Sequence, residues 1–132
     1  MKKILLLVTA LLALSFITGC ATLADATAAR GQGMSRVYDQ PYDAVWDAVN
    51  AAVKDTDLKI ASASKDTGTI LAQGAISAFS WGENVAIFVD RVDGKVSTRV
   101  EVVNKRALAT NITAHSWDKT LFEKLDERLK PH

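Results

Sequence analysis

The feature that most constrains the fold is a pair of alternating segments on either side of Asp93-Gly94. Residues 84–92 and 95–104 flank this dipeptide, and Asp-Gly is typical of the two-residue type I′ loop of a β-hairpin. Such a loop would set Val85 opposite Val102, and it predicts an antiparallel sheet with one apolar face. On that face Ile87 would also pair with Val100, and Val89 with Thr98. On the opposite face Ala86 would pair with Glu101. Phe88 would pair there with Arg99 in a cation–π contact.

Two amphipathic helices are predicted to cover the apolar face of this sheet. The first spans 41–54, where Pro41 suits the first helical position, and the second spans 117–129, where Ser116 suits the N-cap. In both segments apolar residues recur at the three- and four-residue spacing of one helix face. The first stripe consists of Tyr42, Val45, Trp46, Val49 and Val53, and the second of Trp117, Leu121, Leu125 and Leu129.

Shorter strands complete the predicted order of elements. Strands are expected over 36–38, 58–64 and 69–75, and a turn at Asp66-Thr67-Gly68 joins the last two. The order β-α-β-β-β-β-α predicts an α+β domain over residues 36–132. It has a single antiparallel sheet of about five strands with two helices packed on one face.

The first residues carry the pattern of a secretory signal. Lys2 and Lys3 precede an apolar run over 4–17, which as a helix would cover roughly 21 Å and fall short of a bilayer core of about 30 Å. We therefore predict a cleaved signal peptide over residues 1–19. The segment 17–20, Ile-Thr-Gly-Cys, resembles the lipobox of bacterial lipoproteins. That resemblance implies cleavage before Cys20 and lipid on its thiol, and the alternative is an ordinary signal with a chance cysteine.

The residues after Cys20 predict how the domain is carried. By the same resemblance, Ala21 implies sorting to the outer membrane, with the domain facing the periplasm. Residues 20–35 are small and polar, and Gly31 and Gly33 would break a helix. We expect a lipidated cysteine followed by a flexible tether, with a short helix over 21–29 as the alternative.

Composition excludes several classes of partner and site. Removal of residues 1–19 takes two of the 16 basic residues and none of the 15 acidic ones, so the mature chain is close to neutral. Nucleic acid is therefore not expected as a partner, because binding to phosphates requires clustered Lys and Arg. The single cysteine excludes an intramolecular disulfide.

The search for catalytic, cofactor and metal sites predicts none. His115 lies beside Ser116 and near Asp118, but capping of the second helix explains all three. Ser80 stands in Phe-Ser-Trp-Gly rather than in the Gly-x-Ser-x-Gly turn of a hydrolase nucleophile. The imidazole ligands for a metal are His115 and His132 alone, too few for a site built on histidine.

Two segments could contact a partner protein, and each also has a purely structural interpretation. Phe79, Trp81 and Glu83 fall in a predicted loop and could bind a partner, or the aromatic rings could fold back to plug the sheet. The segment 106–112, which follows the basic Lys105, could form an exposed edge strand or a covered loop after a basic strand end.

The lipobox, the small-residue tether, Tyr-Asp-Ala-Val-Trp at 42–46 and the final amphipathic helix resemble a family of small uncharacterised proteobacterial lipoproteins. The order of elements also resembles the helix-grip domains of BamC, a lipoprotein of the outer-membrane assembly machinery. The first resemblance supplies no activity, and the second is one of topology only, which does not transfer function. The lipid anchor, together with the lack of a catalytic constellation in the sequence, predicts a non-enzymatic, lipid-anchored accessory of the outer membrane that binds an unidentified envelope protein. The alternative is a periplasmic carrier of a small ligand or lipid; the oligomeric state stays open.

Overall fold

The computed structural model describes residues 23–75, 82–106 and 115–129. Within these ranges the chain forms three helices and five strands. No described helix is long and apolar enough to cross a membrane. The helices are α1 (Leu23–Ala28), α2 (Tyr42–Lys54) and α3 (Trp117–Leu129), and the strands are β1 (Met34–Tyr38), β2 (Lys59–Ser64), β3 (Thr69–Gln73), β4 (Glu83–Arg91) and β5 (Thr98–Arg106).

The strands form one open antiparallel sheet in the order β1-β5-β4-β3-β2. This confirms the predicted α+β class and the five-stranded sheet. Helices α2 and α3 follow the predicted ranges and pack on one face of the sheet, where their apolar stripes join a single core. Val45, Val49 and Val53 are almost fully buried there, against Ile70, Ile87 and Val100 of the central strands. The layer between this sheet face and its helices is therefore filled by side chains.

The β4–β5 hairpin has the predicted faces but not the predicted register. Ile87 pairs with Val102 and Val89 with Val100, a shift of two residues from the arrangement that a two-residue loop would give. The Val92 N–H donates to the Ser97 carbonyl at 3.0 Å, so the loop contains residues 93–96. A shift of two keeps every side chain on its own face, which explains why the alternation alone could not detect it.

The same shift changes the partner of Phe88. Phe88 lies opposite Glu101 rather than Arg99, so the predicted cross-strand cation–π contact is wrong. The cation over its ring is Arg30, whose guanidinium carbon lies 4.7 Å from the ring centroid. Arg30 follows helix α1 and also pairs with Asp90 on β4.

Helix α1 packs on the second face of the sheet, where a flexible tether was expected. Ala26 and Ala29 are buried, at 0% and 4% exposure, and they join the cluster of Ala86, Phe88 and Val103. Small side chains let this short helix approach the strands closely. The prediction of a tether is therefore wrong for residues 23–35, and the alternative of a short helix is the one observed.

Glu101 holds the chain between α1 and β1 against the sheet. Its Oε1 accepts hydrogen bonds from the N–H groups of Gly31, at 2.6 Å, and of Gly33, at 2.9 Å. A Cβ atom at Gly33 would lie 2.3 Å from the carbonyl oxygen of Val102, so only glycine allows this approach. The folded domain therefore includes α1 and the segment that follows it, and does not begin at residue 36.

Candidate functional site

The candidate site is an open cleft of about 490 Å³ between the ends of α2 and β3 and the start of α3. Its wall is mixed, since the indole of Trp117 stands among carboxylates and an ammonium group. Such a cleft could accept a peptide or a small molecule with both apolar and polar groups. Residues that line it include Asp55, Asp57, Gly74, Glu83, Trp117 and Lys124.

Glu83 forms the floor of this cleft and joins β4 to α3. It is 5% exposed, and its Oε1 accepts a hydrogen bond from the backbone N–H of His115 at 3.0 Å. Its Oε2 accepts a second one from the indole N–H of Trp117. Both carboxylate oxygens are thus occupied within the protein, as a buried charge requires. The predicted loop residue Glu83 is therefore the first residue of β4, with an internal role.

Gly74 lies directly above this contact. Its N–H donates to the Glu83 carbonyl at 2.9 Å, and a Cβ atom here would lie 3.4 Å from Glu83 Oε2 and 3.6 Å from the Trp117 indole nitrogen. The chain directly after β3 thus closes over the buried carboxylate. No local pattern indicates the pairing of Glu83 with Trp117, because the two residues are 34 positions apart.

Besides Glu83, three neighbours hold His115 at the start of α3. Its ring lies edge-on to Trp117, with centroids 4.6 Å apart, and its Nε2 is 2.6 Å from the hydroxyl of Thr120. The amide nitrogen of Asn104 donates to its carbonyl at 2.8 Å. These contacts fix the direction in which the chain enters α3. The ring nitrogen is thus partnered by the Thr120 hydroxyl.

Within the described ranges, Glu83 and the His115 ring form no carboxylate–imidazole pair, and no cluster of metal ligands is present. Glu83 meets His115 through the backbone N–H and not through the ring. No group of three or more His, Cys, Asp and Glu side chains that could hold a metal ion occurs within the described ranges. Ser80 and His132, which were considered above for a catalytic and a metal role, lie outside those ranges.

Ion pairs stand around the ends of the helices. Arg128 pairs with Asp55 at the rim of the cleft. On the far side of α3, Asp126 accepts hydrogen bonds from Arg36 and from the Tyr38 hydroxyl, the latter at 2.8 Å. Burial first, and then the nearby Asp126 carboxylate, raise the pKa of Tyr38 above its ordinary value. Tyr38 is therefore a neutral hydrogen-bond donor that ties β1 to α3.

The other predicted site residues lie outside the described ranges. Cys20, Phe79 and Trp81 are among them, as are residues 107–112 of the possible edge strand, whose first residue, Arg106, ends β5. Both Ala75 and Glu83, which border the segment with Phe79 and Trp81, line the cleft. The predicted partner-binding loop therefore leaves and rejoins the sheet at the cleft.

Comparison with known proteins gives a family but no activity. No curated protein matches the sequence. A family model described as "Protein of unknown function (DUF3568)" matches residues 2–103, which include the predicted signal and every described element as far as the greater part of β5. The chain belongs to this family of proteins of unknown function.

Proposed function

We propose that the protein is a lipid-anchored lipoprotein of the bacterial cell envelope that performs no catalysis and binds another envelope component at the cleft. The observation that carries the anchor is the sequence before Cys20. It has two lysines, an apolar run too short to span a bilayer, and a small residue directly before the cysteine. We also propose that the family is one of small proteobacterial lipoproteins whose topology is similar to that of the BamC helix-grip domains.

The lipid would provide a permanent attachment. Each CH₂ group buried in the membrane contributes about 0.8 kcal/mol, so two or three acyl chains on Cys20 hold a protein of this size indefinitely. Ala21, directly after it, favours delivery to the outer membrane, with the domain in the periplasm. Labelling of living cells with an alkyne analogue of palmitate tests the anchor. We expect label on the wild-type protein and none on Cys20→Ala, and label on both or neither would refute it.

The cleft supports binding rather than catalysis, because its ionisable groups already stabilise the fold. Both oxygens of Glu83 accept internal hydrogen bonds, and the His115 ring is engaged with Thr120 and Trp117. What stays open to a partner is the rim, where Lys124 and the acidic end of α2 lie. Side chains of both charges around the ring of Trp117 are typical of an interface with a polar rim.

A photo-crosslinking experiment in intact cells tests the site of binding. A photoreactive amino acid at Lys124, on the rim, should give a discrete crosslinked product. The same residue at Val96, which is exposed in the β4–β5 loop at the other end of the sheet, serves as the matched control. Trp81→Ala should weaken the crosslink from the rim if the adjoining loop contributes. A product of equal yield from both positions would contradict a partner at the cleft.

A second candidate, a carrier of a small ligand, is favoured by one observation. The volume of the cleft, about 490 Å³, falls within the range of small-molecule sites. The layer between the sheet and α2 and α3 is filled, so a ligand would have to occupy the cleft itself. Native mass spectrometry of the delipidated protein should then show a bound mass that the cleft substitution Trp117→Phe reduces. A mass without ligand would exclude this candidate.

A further inference from the structure

We propose that the sheet face covered by α1 is the surface that rests on the bilayer, with its lysines and arginine against the phosphates of anionic phospholipids. This inference rests on the proposed lipid anchor at Cys20. It adds which side of the domain meets the membrane and the kind of lipid that this side would favour. It also replaces the expectation that a tether holds the domain away from the bilayer.

The first support is the length of chain between the anchor and the fold. Two residues separate Cys20 from Leu23, where α1 begins. Consecutive Cα atoms are 3.8 Å apart, so the lipid-bearing residue lies within about 11 Å of the start of α1. Because α1 is packed on β4 and β5 through Ala26 and Ala29, the anchor is tied to this face of the sheet and not to the face under α2 and α3.

The second support is a polar row that crosses four strands on the α1 face. Lys59 of β2 pairs with Gln73 of β3, which pairs with Asn84 of β4, which pairs with Lys105 of β5. The two amides in the middle are joined, since Gln73 Nε2 donates to Asn84 Oδ1 at 3.1 Å. Neighbouring strands are about 4.8 Å apart, so the row is about 14 Å long, with an ammonium group at either end. Asn84 is buried, at 6% exposure, so Gln73 and the two ammonium groups are the donors of this row that suit a layer of phosphate groups.

The third support is the contrast in charge between the two sides of the domain. Lys59, Arg99 and Lys105 form no ion pair with another described residue. Acidic groups on the same side are Asp90, which pairs with Arg30, and Glu101, whose Oε1 binds two backbone N–H groups, together with Asp25 on α1. The outward helices α2 and α3 carry six acidic and four basic side chains. Anionic lipids would therefore attract the α1 face and repel the helices.

An exposed apolar residue completes the surface. Val37 of β1 is 53% exposed, and it pairs with Arg99 on the same face. A valine beside an arginine at the edge of the sheet suits the boundary between headgroups and acyl chains. A protein partner would not require both the cationic row and the short link to Cys20, whereas a bilayer explains them together.

The experiment uses the full acylated protein, purified from membranes and reconstituted into vesicles of phosphatidylcholine and phosphatidylglycerol in equal parts. The chain has one cysteine, so an engineered cysteine is the only free thiol once Cys20 is acylated. Ser62→Cys places the thiol on the α1 face, since Ser62 is exposed and pairs with Leu71. Ala44→Cys, on the exposed side of α2, is the matched control. The measurement is the rate at which each thiol reacts with a bulky, membrane-impermeant maleimide.

The rates are compared between these anionic vesicles and vesicles of phosphatidylcholine alone. We expect the thiol at position 62 to react at least about fivefold more slowly in the anionic vesicles, because one basic residue at an anionic surface contributes about that factor. The thiol at position 44 should react equally in both. Replacement of Lys59, Arg99 and Lys105 by Gln should remove the difference, as should high salt. Equal rates at position 62 in both lipids, or protection at position 44 instead, would overturn the inference.

Flotation of the vesicles separates this inference from the proposed anchor. If the protein does not float with vesicles of either composition, the lipid anchor itself fails. If the protein floats but the two thiols are equally accessible, the anchor stands and the membrane-facing surface is wrong. Protection at position 62 that occurs in native envelopes but not in vesicles would assign the face to a protein, which also overturns the inference.

Discussion

Removal of the Glu101 carboxylate should release α1 from the sheet while the rest of the domain stays folded. Glu101 is 7% exposed, and one of its oxygens accepts the N–H groups of both Gly31 and Gly33. These two bonds hold the segment between α1 and β1, and α1 in turn covers Phe88, which is 1% exposed. The perturbation is Glu101→Ala, with Glu101→Gln as the variant that keeps an acceptor oxygen.

The size of the effect follows from the surroundings of the two donors. A hydrogen bond to a charged group stabilises a fold by about 1.5 to 3 kcal/mol. Gly31 is exposed and Gly33 is half-buried, so water replaces part of what is lost. We therefore expect Glu101→Ala to destabilise the packed state of α1 by about 2 kcal/mol. The neutral amide of Glu101→Gln should cost about 1 kcal/mol.

Hydrogen exchange measured by mass spectrometry reports this local opening. A loss of about 2 kcal/mol corresponds to exchange of the amides in 23–33 that is about 30-fold faster. The amides of α2 should be unchanged. Glu127→Ala, which removes an exposed carboxylate from α3, is the control and should change neither segment. If Glu101→Ala leaves exchange in 23–33 unchanged, Glu101 does not hold this segment and the reasoning is refuted.

Three further predictions concern the rest of the fold. Glu83→Ala should lower the free energy of unfolding by about 3 kcal/mol in urea titration, because it leaves a buried indole N–H and a backbone N–H unpaired; an effect no larger than that of an exposed glutamate would contradict this role. Gly68→Ala should cost at least about 2 kcal/mol more than Gly94→Ala. Both glycines have positive φ, but only at Gly68 would a Cβ meet backbone, 2.1 Å from the Val89 oxygen; equal losses would show that the turn can shift. Lys65 Nζ lies 2.9 Å from Asp43 Oδ1 and lowers the pKa of that carboxyl. The stabilisation by this ion pair is therefore present at neutral pH and is lost as the pH falls through the lowered pKa of Asp43. Lys65→Gln should raise the pKa of Asp43 in an NMR titration, and an unchanged midpoint would exclude the contact in solution.

The helices could be predicted from the sequence because their signal is local and repeated. Tyr42–Lys54 and Trp117–Leu129 agree with the predicted ranges to within one residue. Each apolar stripe extends over several turns and is bounded by a residue that suits a helix start. The alternation along β4 and β5 predicted their buried faces equally well. Helices and strand faces, whose apolar residues repeat at a regular spacing, can thus be predicted from a single sequence.

The register of the hairpin could not be recovered, because the alternation is the same for registers that differ by two. The choice is made by contacts from outside the hairpin. Ser97 donates to Asp39 at 2.8 Å, and Thr98 donates to the Gln40 carbonyl at 2.9 Å. Both bonds join the start of β5 to the segment before α2, and they require Ser97 and Thr98 at these positions. Asp93-Gly94 still forms a turn, with Lys95 N–H donating to the Val92 carbonyl at 3.3 Å, inside a longer loop.

The roles of α1 and Glu83 depend on residues far away in the chain. Alanines at 26 and 29 give little apolar signal, and their burial exists only because β4 and β5 offer a matching surface. The sequence pattern places Glu83 in a loop, because a carboxylate at the start of a strand is expected to be exposed. Its burial depends on the N–H groups of His115 and Trp117, which lie far along the chain. The cleft is likewise formed by segments from three parts of the chain, and none of them marks it alone.

The intact mass and the N-terminal peptide of the mature protein, purified from membranes, decide whether Cys20 is the anchor. We expect a chain that starts at Cys20 and carries a diacylglycerol on sulfur and an acyl chain on the amine. Treatment with base should release the ester-linked chains and leave the amide-linked one. An unmodified cysteine, a start at any other residue, or a retained signal peptide would contradict the account.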